Sequence, residues 1–340
     1  MKTSGGTFSL TPRTTPAPSA RPTPAPTAPV VVVAPREKDS LVPTGARALW
    51  PGTYLVSVGL TQRPTRAVSD GSRIWYLDQA NRVNVLHTLN GELFQIAALP
   101  PGASVTGMAV SPNHVYFVDG PASALYALTI STEQVSRIPL GFATAATAIA
   151  ASPDERLWLA TGASGLVSYD PRTGQIERVA VGANLSVVAT DSLGRVWMAA
   201  RDRQAIDLYD PLARKLTEFS LSHGGAITAL AVDRANTVWV GTDTGQTFAI
   251  RSAAAAGTSG ALVTTGLVGR PISGFALDPS GALYYVSRTE SAVAYGTVQF
   301  PAGARVSPAS ASEPMFDFVG RAWQSDLGAG FYVTLPEGRT

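Results

Sequence analysis

Carboxylates and imidazoles are the first groups to weigh in this chain. It contains no cysteine, which removes thiolate nucleophiles, disulfides and zinc–sulfur sites. Three aspartates, Asp78, Asp119 and Asp326, each stand three residues beyond an aromatic residue, Trp75, Tyr116 and Trp323. Carboxylates repeated at one height could together hold a hard cation, Ca²⁺ or Mg²⁺, through oxygen ligands. The competing reading is that each caps its own strand end and accepts from turn amides. Histidine occurs only as His87, His114 and His223. His87 lies in the strand-like run Val83-Asn-Val-Leu-His-Thr-Leu89, and His114 in a Ser-Pro-Asn-His turn. His223 precedes Gly224-Gly225 in a loop leading into a strand, where a ligand could reach it. A single histidine completes no acid–base pair. The chain shows no Gly-x-Ser-x-Gly elbow, phosphate loop or metal-spaced histidine pair, so no catalytic residue is assigned.

The elements that would position these groups come from an internal repeat. A turn residue recurs at Asp70, Ser111, Ser152, Asp191, Asp233, Asp278 and Asp317. An aromatic follows each by five or six positions, at Trp75, Tyr116, Trp158, Trp197, Trp239, Tyr284 and Trp323. Successive aromatics are 41, 42, 39, 42, 45 and 39 residues apart, close to the ~40–45 residues of a four-stranded propeller blade. Five residues before every turn residue stands a hydroxyl, at Thr65, Thr106, Thr147, Ser186, Thr228, Ser273 and Ser312. Each unit reads as four short strands, and the first carries small residues, which suits the crowded inner rim of a propeller. The expected fold is all-β, a seven-bladed β-propeller over residues 46–340.

Only one strand's worth of chain, Gly330-Phe-Tyr-Val-Thr-Leu-Pro336, follows Trp323. The strand 53–58, upstream of the first repeat, is expected to supply the missing partner and close the ring. Closure would make the first and last blades neighbours, with Arg66 and Glu313 at equivalent positions, and so predicts an ion pair across the seam. Residues 1–45 differ: nine prolines fall there among Thr, Ala and Ser. Such a tract stays extended as polyproline II with little to bury. It reads as an arm or linker, with Phe8, Leu10 and the run Val30, Val31, Val32 and Val33 as candidate anchors to a partner.

Asp191-Ser-Leu-Gly-Arg-Val-Trp197, with Tyr209-Asp210-Pro211 and Lys215-Leu-Thr-Glu-Phe219, resembles the blades of streptogramin (virginiamycin B) lyase-like propellers. Val238-Trp-Val-Gly-Thr-Asp-Thr-Gly245 resembles the extracellular propeller repeats of two-component sensor proteins. The resemblance implies a propeller. In the lyase family a blade reads Trp-Phe-Thr-Glu after the turn, and the activity is a metal-assisted elimination using His and Glu. The fourth position of that motif is Asp78, Asp119, Thr161, Ala200, Thr242, Ser287 and Asp326 here, with Glu in none. The lyase's catalytic residues therefore do not carry over.

Composition narrows the partners. The 26 basic and 24 acidic residues nearly balance, without the clustered positive charge of a nucleic-acid binder. No apolar stretch is long enough to span a bilayer. The expectation is a non-enzymatic binding or structural module, tethered by its arm to protein partners in a larger assembly. A virion or extracellular surface is favoured over the cytoplasm, and a glycan or small ligand on one face is a further partner class. A lyase-like or hydrolytic enzyme with its site at the channel mouth is the alternative.

Overall fold

The computed structural model describes residues 47–335, apart from 51–52, 57–63, 89–91, 142–145, 162–164, 180, 182–183, 222–223, 252–260, 290–291, 299–303, 309–313, 318–319 and 327–329. Phe8, Leu10, Val30–Val33, His223 and Glu313 lie outside the described residues, as does the seam pair that Arg66 would form. The described chain is all strand, with no helix. Six antiparallel four-stranded sheets follow one another over 64–98, 105–139, 148–179, 185–220, 227–267 and 274–308. They are blades one to six of a seven-bladed propeller.

The seventh blade is built from both ends of the described chain. Its order is β1 (Arg47–Trp50), β2 (Thr53–Val56), β29 (Gly330–Thr334), β28 (Ala322–Asp326) and β27 (Met315–Phe316). The closing strand expected from the sequence is present, pairing Thr53 with Thr334 and Val56 with Phe331. The outermost strand β1, which makes this blade five-stranded, had no clear signal in the sequence.

The core is the set of layers between blades. Second strands such as β4 (Arg73–Asp78) are buried on both faces, so alternate side chains enter different layers. Trp75 packs with Phe117 and Tyr126 of blade two, whereas Tyr76 packs with Trp323 and Phe331 of blade seven. Every neighbouring pair of blades shares such a layer, and the Tyr76–Trp323 layer closes the circle. Burial of large apolar side chains at roughly 1.5–3 kcal/mol each makes these layers the main source of cohesion.

The recurring hydroxyl has a specific task. Thr65, Thr106, Ser186 and Thr228 each occupy a β-bulge where the first strand slips register against the second. The bulge disrupts the ladder, and the side chain answers it by donating to a second-strand carbonyl, as from Thr65 Oγ1 to Leu77 O (3.1 Å). Thr106 and Thr147 also donate to the next blade, to Ala146 O and Leu185 O at 3.1 and 3.0 Å. Thr228 makes the same bond to Ile272 O. In blades one, two, four and five the hydroxyl thus stands at the bulge of the first strand.

Candidate functional site

The turn between the first and second strands brings the two most regular repeat residues into contact. In blade four, Asp191 Oδ1 accepts from the amides of Leu193 and Arg195 at 3.0 and 2.9 Å. Its Oδ2 accepts from Arg195 Nε at 2.7 Å and Trp197 Nε1 at 3.2 Å. The same clasp joins Asp70 to Arg73 and Trp75 (2.8 and 3.1 Å), and Asp317 to Arg321 and Trp323 (2.6 and 2.8 Å). Blade five keeps the Asp233–Trp239 bond at 3.0 Å, with Thr237 in the arginine's place. The arginine also lies over its tryptophan ring, 4.9 Å from the centroid for Arg73 and 5.2 Å for Arg321. Burial works to raise the pKa of Asp70, but bonds from Trp75, Ser72 and Arg73 together hold it below its ordinary value of 3.8.

These turns surround the axis. One cavity of about 300 Å³ is lined by turns of blades one, four, five and six, including Asp70, Asp191, Asp233, Arg234 and Asp278, with Phe316 of blade seven. Blade one is no neighbour of blades four and five, so a space touching all of them lies at the channel mouth. A second cavity of about 340 Å³ lies against the turns of blades two, three and four. The mouth is rich in aspartate, yet its carboxylates accept from their own turns: Asp278, for example, takes Ala282 N at 2.8 Å and Ser280 Oγ at 2.6 Å.

Asp78 and Asp119 hold corresponding places on the opposite face, where second and third strands connect. Asp78 is buried and accepts from Ala80 N and Arg82 N, both at 2.9 Å, and from Arg82 Nε at 2.7 Å. Asp119, also buried, accepts from Ala122 N at 3.2 Å. Each is therefore turned onto its own hairpin. Asp326 ends β28 on the same face. The residues after His223 are pinned there too: Gly224 N donates to Gln246 Oε1 at 3.0 Å, and Ala226 N to Asp243 Oδ1 at 2.8 Å. Among the described residues no three His, Asp or Glu side chains gather as a metal cluster. His87 packs edge-on against Phe94 (5.7 Å), and His114 is tilted against Tyr116 (5.5 Å).

The sequence reading missed the exposed apolar side chains of blades three and four. Among the described residues the exposed large apolar side chains are Leu212 (92%), Leu193 (57%), Leu216 and Ile176. Leu193 sits in the turn before β16 (Val196–Ala200). Leu212 and Leu216 flank the start of β18 (Lys215–Ser220), and Ile176 begins β14 (Ile176–Val179). All four positions are at the strand ends of the channel-mouth face. Arg214 and Glu177 bridge the two blades beside them at 3.3 Å.

No family model matches this chain, and no curated protein matches it. Among solved structures, virginiamycin B lyase from Staphylococcus aureus superposes with a TM-score of 0.67 at 14% identity, covering 84% of this chain and 99% of that one. A streptogramin B lyase gives 0.68 at 13%, covering 85% and 100%. The extracellular domain of a hybrid two-component system from B. thetaiotaomicron gives 0.61 at 13%, covering 84% of this chain and 40% of that one. The likeness is one of fold. Among the described residues no helix is long and apolar enough to cross a membrane.

Proposed function

We propose that this chain is a protein-binding module that docks through the channel-mouth face of blades three and four and is tethered through residues 1–45. The observation that carries this reading is the grouping of Leu193, Leu212, Leu216 and Ile176 on two adjacent blades. Scattered exposed leucines need no explanation, but four large exposed apolar side chains on one face of two adjacent blades fit an interaction surface. The aspartates nearby, engaged by their own turns, serve the framework. The arm's role is supported by its junction, since β1 follows it directly and forms the outer edge of blade seven. In this reading Phe8, Leu10 and Val30–Val33 anchor the domain to a larger assembly such as a virion or cell-surface structure.

The test is purification of the native assembly with wild type and a Leu193→Asp/Leu212→Asp double variant. Exposed substitutions should change stability by only about 0.5 kcal/mol or less, while stoichiometric co-fractionation is lost. Unaltered co-fractionation of the double variant would refute the docking face. Unaltered incorporation after deletion of residues 1–44 would refute the tether. The competing enzyme reading draws on the lyase fold likeness alone. A solved S. aureus virginiamycin B lyase, a catalytically inactive His-to-Ala variant, is recorded with quinupristin. Incubation of this protein with quinupristin is expected to leave the compound's chromatographic retention, fragmentation pattern and mass all unchanged, because ring opening by elimination would alter the first two and hydrolysis all three.

A further inference from the structure

Blade three retains the two donors of the clasp without its carboxylate. Its turn residue is Ser152, while Arg156 and Trp158 stand where Arg195 and Trp197 stand in blade four. Arg156 still lies over the indole, 5.9 Å from the centroid. Arg156 Nε and Trp158 Nε1 are both buried without a hydrogen-bond partner, and Trp158 is 1% exposed. In clasped blades a single carboxylate oxygen satisfies both groups. Four of the six unpartnered buried side-chain atoms among the described residues belong to blades two and three, the blades with serine at the turn. The other two of those four are Tyr116 Oη and His114 Nδ1. Both serines, Ser111 and Ser152, line the 340 Å³ cavity at the channel mouth.

A pair of buried, preoriented donors, one of them on a cation, is costly to leave unsatisfied and is matched to a carboxylate oxygen. We propose that blade three is a binding site for a small carboxylate, which enters at Ser152 and supplies the oxygen that aspartate supplies in blades one, four and seven. The arginine's charge is already shared. Asp170 Oδ2 stands 3.4 Å from Arg156 Nη2, and Asp154 accepts from Ser152 Oγ and, at 3.4 Å, from Arg156 N. Neither carboxylate reaches Nε or the indole. Their presence limits affinity to the millimolar range expected of so small a ligand. The inference does not depend on the docking face proposed above.

Indole N–H resonances of the full-length protein, labelled at its 6 tryptophans, give a direct test. Trp158→Phe identifies the Trp158 signal. Formate titration should move that signal toward those of the clasped tryptophans and leave the others in place. Ser152→Asp should show the shifted position without formate and lose the response. Ser152→Asn, whose amide oxygen can accept from the same donors without added charge, should also lose it and serves if the aspartate variant does not fold. Absence of a formate response in wild type overturns the site. So does an equal response to chloride at matched ionic strength, or a response retained in both variants.

Discussion

Blades four and three share one architecture and solve one turn differently. In blade four, Asp191 gathers two amides, a guanidinium and an indole, and Gly194 takes the left-handed conformation the turn requires (φ 77°). In blade three, Ser152 donates to Arg156 O at 2.8 Å, and Glu155 occupies the left-handed position with φ 70°. The interblade layers on either side are equally buried in both. Apolar packing therefore sets the fold, and the polar clasp is a local addition that the ring tolerates losing. The interblade hydroxyl bond is independent of the clasp: Thr106 and Thr147 make it in blades two and three, and Thr228 makes it in blade five beside the Asp233–Trp239 bond.

The largest effect should come from removing a clasp where it is most enclosed. Asp317 and Arg321 expose only 1% and 6% of their side chains, and Arg321 Nη2 also donates to Thr88 O of blade one at 2.6 Å. Asp317→Ala removes the carboxylate that faces a buried guanidinium and indole and is expected to cost about 3–5 kcal/mol in urea unfolding. Ser152→Ala should cost less, about 1–2 kcal/mol, for a hydroxyl that donates to Asp154 and to Arg156 O. Equal losses would erase the distinction between the two turns.

A smaller change of opposite sign is expected in blade three. Glu155→Gly relieves a left-handed backbone and should stabilise the protein by about 1 kcal/mol, visible as a raised urea midpoint. The exposed bond from Asn113 Nδ2 to Glu155 is lost in exchange. A destabilised variant would mean that this interblade bond outweighs the backbone strain.

The smallest effect is in acid. The folded pKa of Asp70 lies below its ordinary value, so its contribution is complete above that value and lost as pH falls through the folded pKa. Asp207 has the opposite sign. Burial raises its pKa despite Arg203, so its protonation favours the folded state as pH falls. The difference in unfolding free energy between wild type and Asp70→Asn isolates the first term. It should shrink on acidification below about pH 4; a constant difference would show that the clasp does not need the charged carboxylate.

The ring was legible because turn residue, aromatic and hydroxyl recur in a common register, and each has a fixed structural task. The closing strand could be found because Gly330–Thr334 left a blade incomplete. The strand Arg47–Trp50 was not, since four residues carry too little alternation to announce an edge. The clasp was half visible: aspartate and tryptophan were paired as markers, but not as acceptor and donor. The signal was an arginine two residues before the aromatic, at Arg73, Arg156, Arg195 and Arg321. Asp78, Asp119 and Asp326 are legible as equivalent positions, and the structure turns Asp78 and Asp119 toward their own hairpins. The exposed leucines gave no warning, because Leu193 and Leu212 stand singly within turns and Leu216 falls between Lys215 and Thr217 as in any half-buried strand.

The strands that close the seventh blade are among the first parts of the propeller to be synthesised and the last that can find their partners. Thr53–Val56 must wait for Gly330–Thr334 to emerge. Until then its edge is unpaired and open to pairing with other chains. Blades one to six can form in order as local hairpins, whereas the seam joins distant residues, as in the bond from Ser69 Oγ to Phe316 O across 247 positions. Ring closure is the high-contact-order step, and a ribosome stalled within the last blade would hold a propeller with its latch strand made and nothing yet to fasten it to.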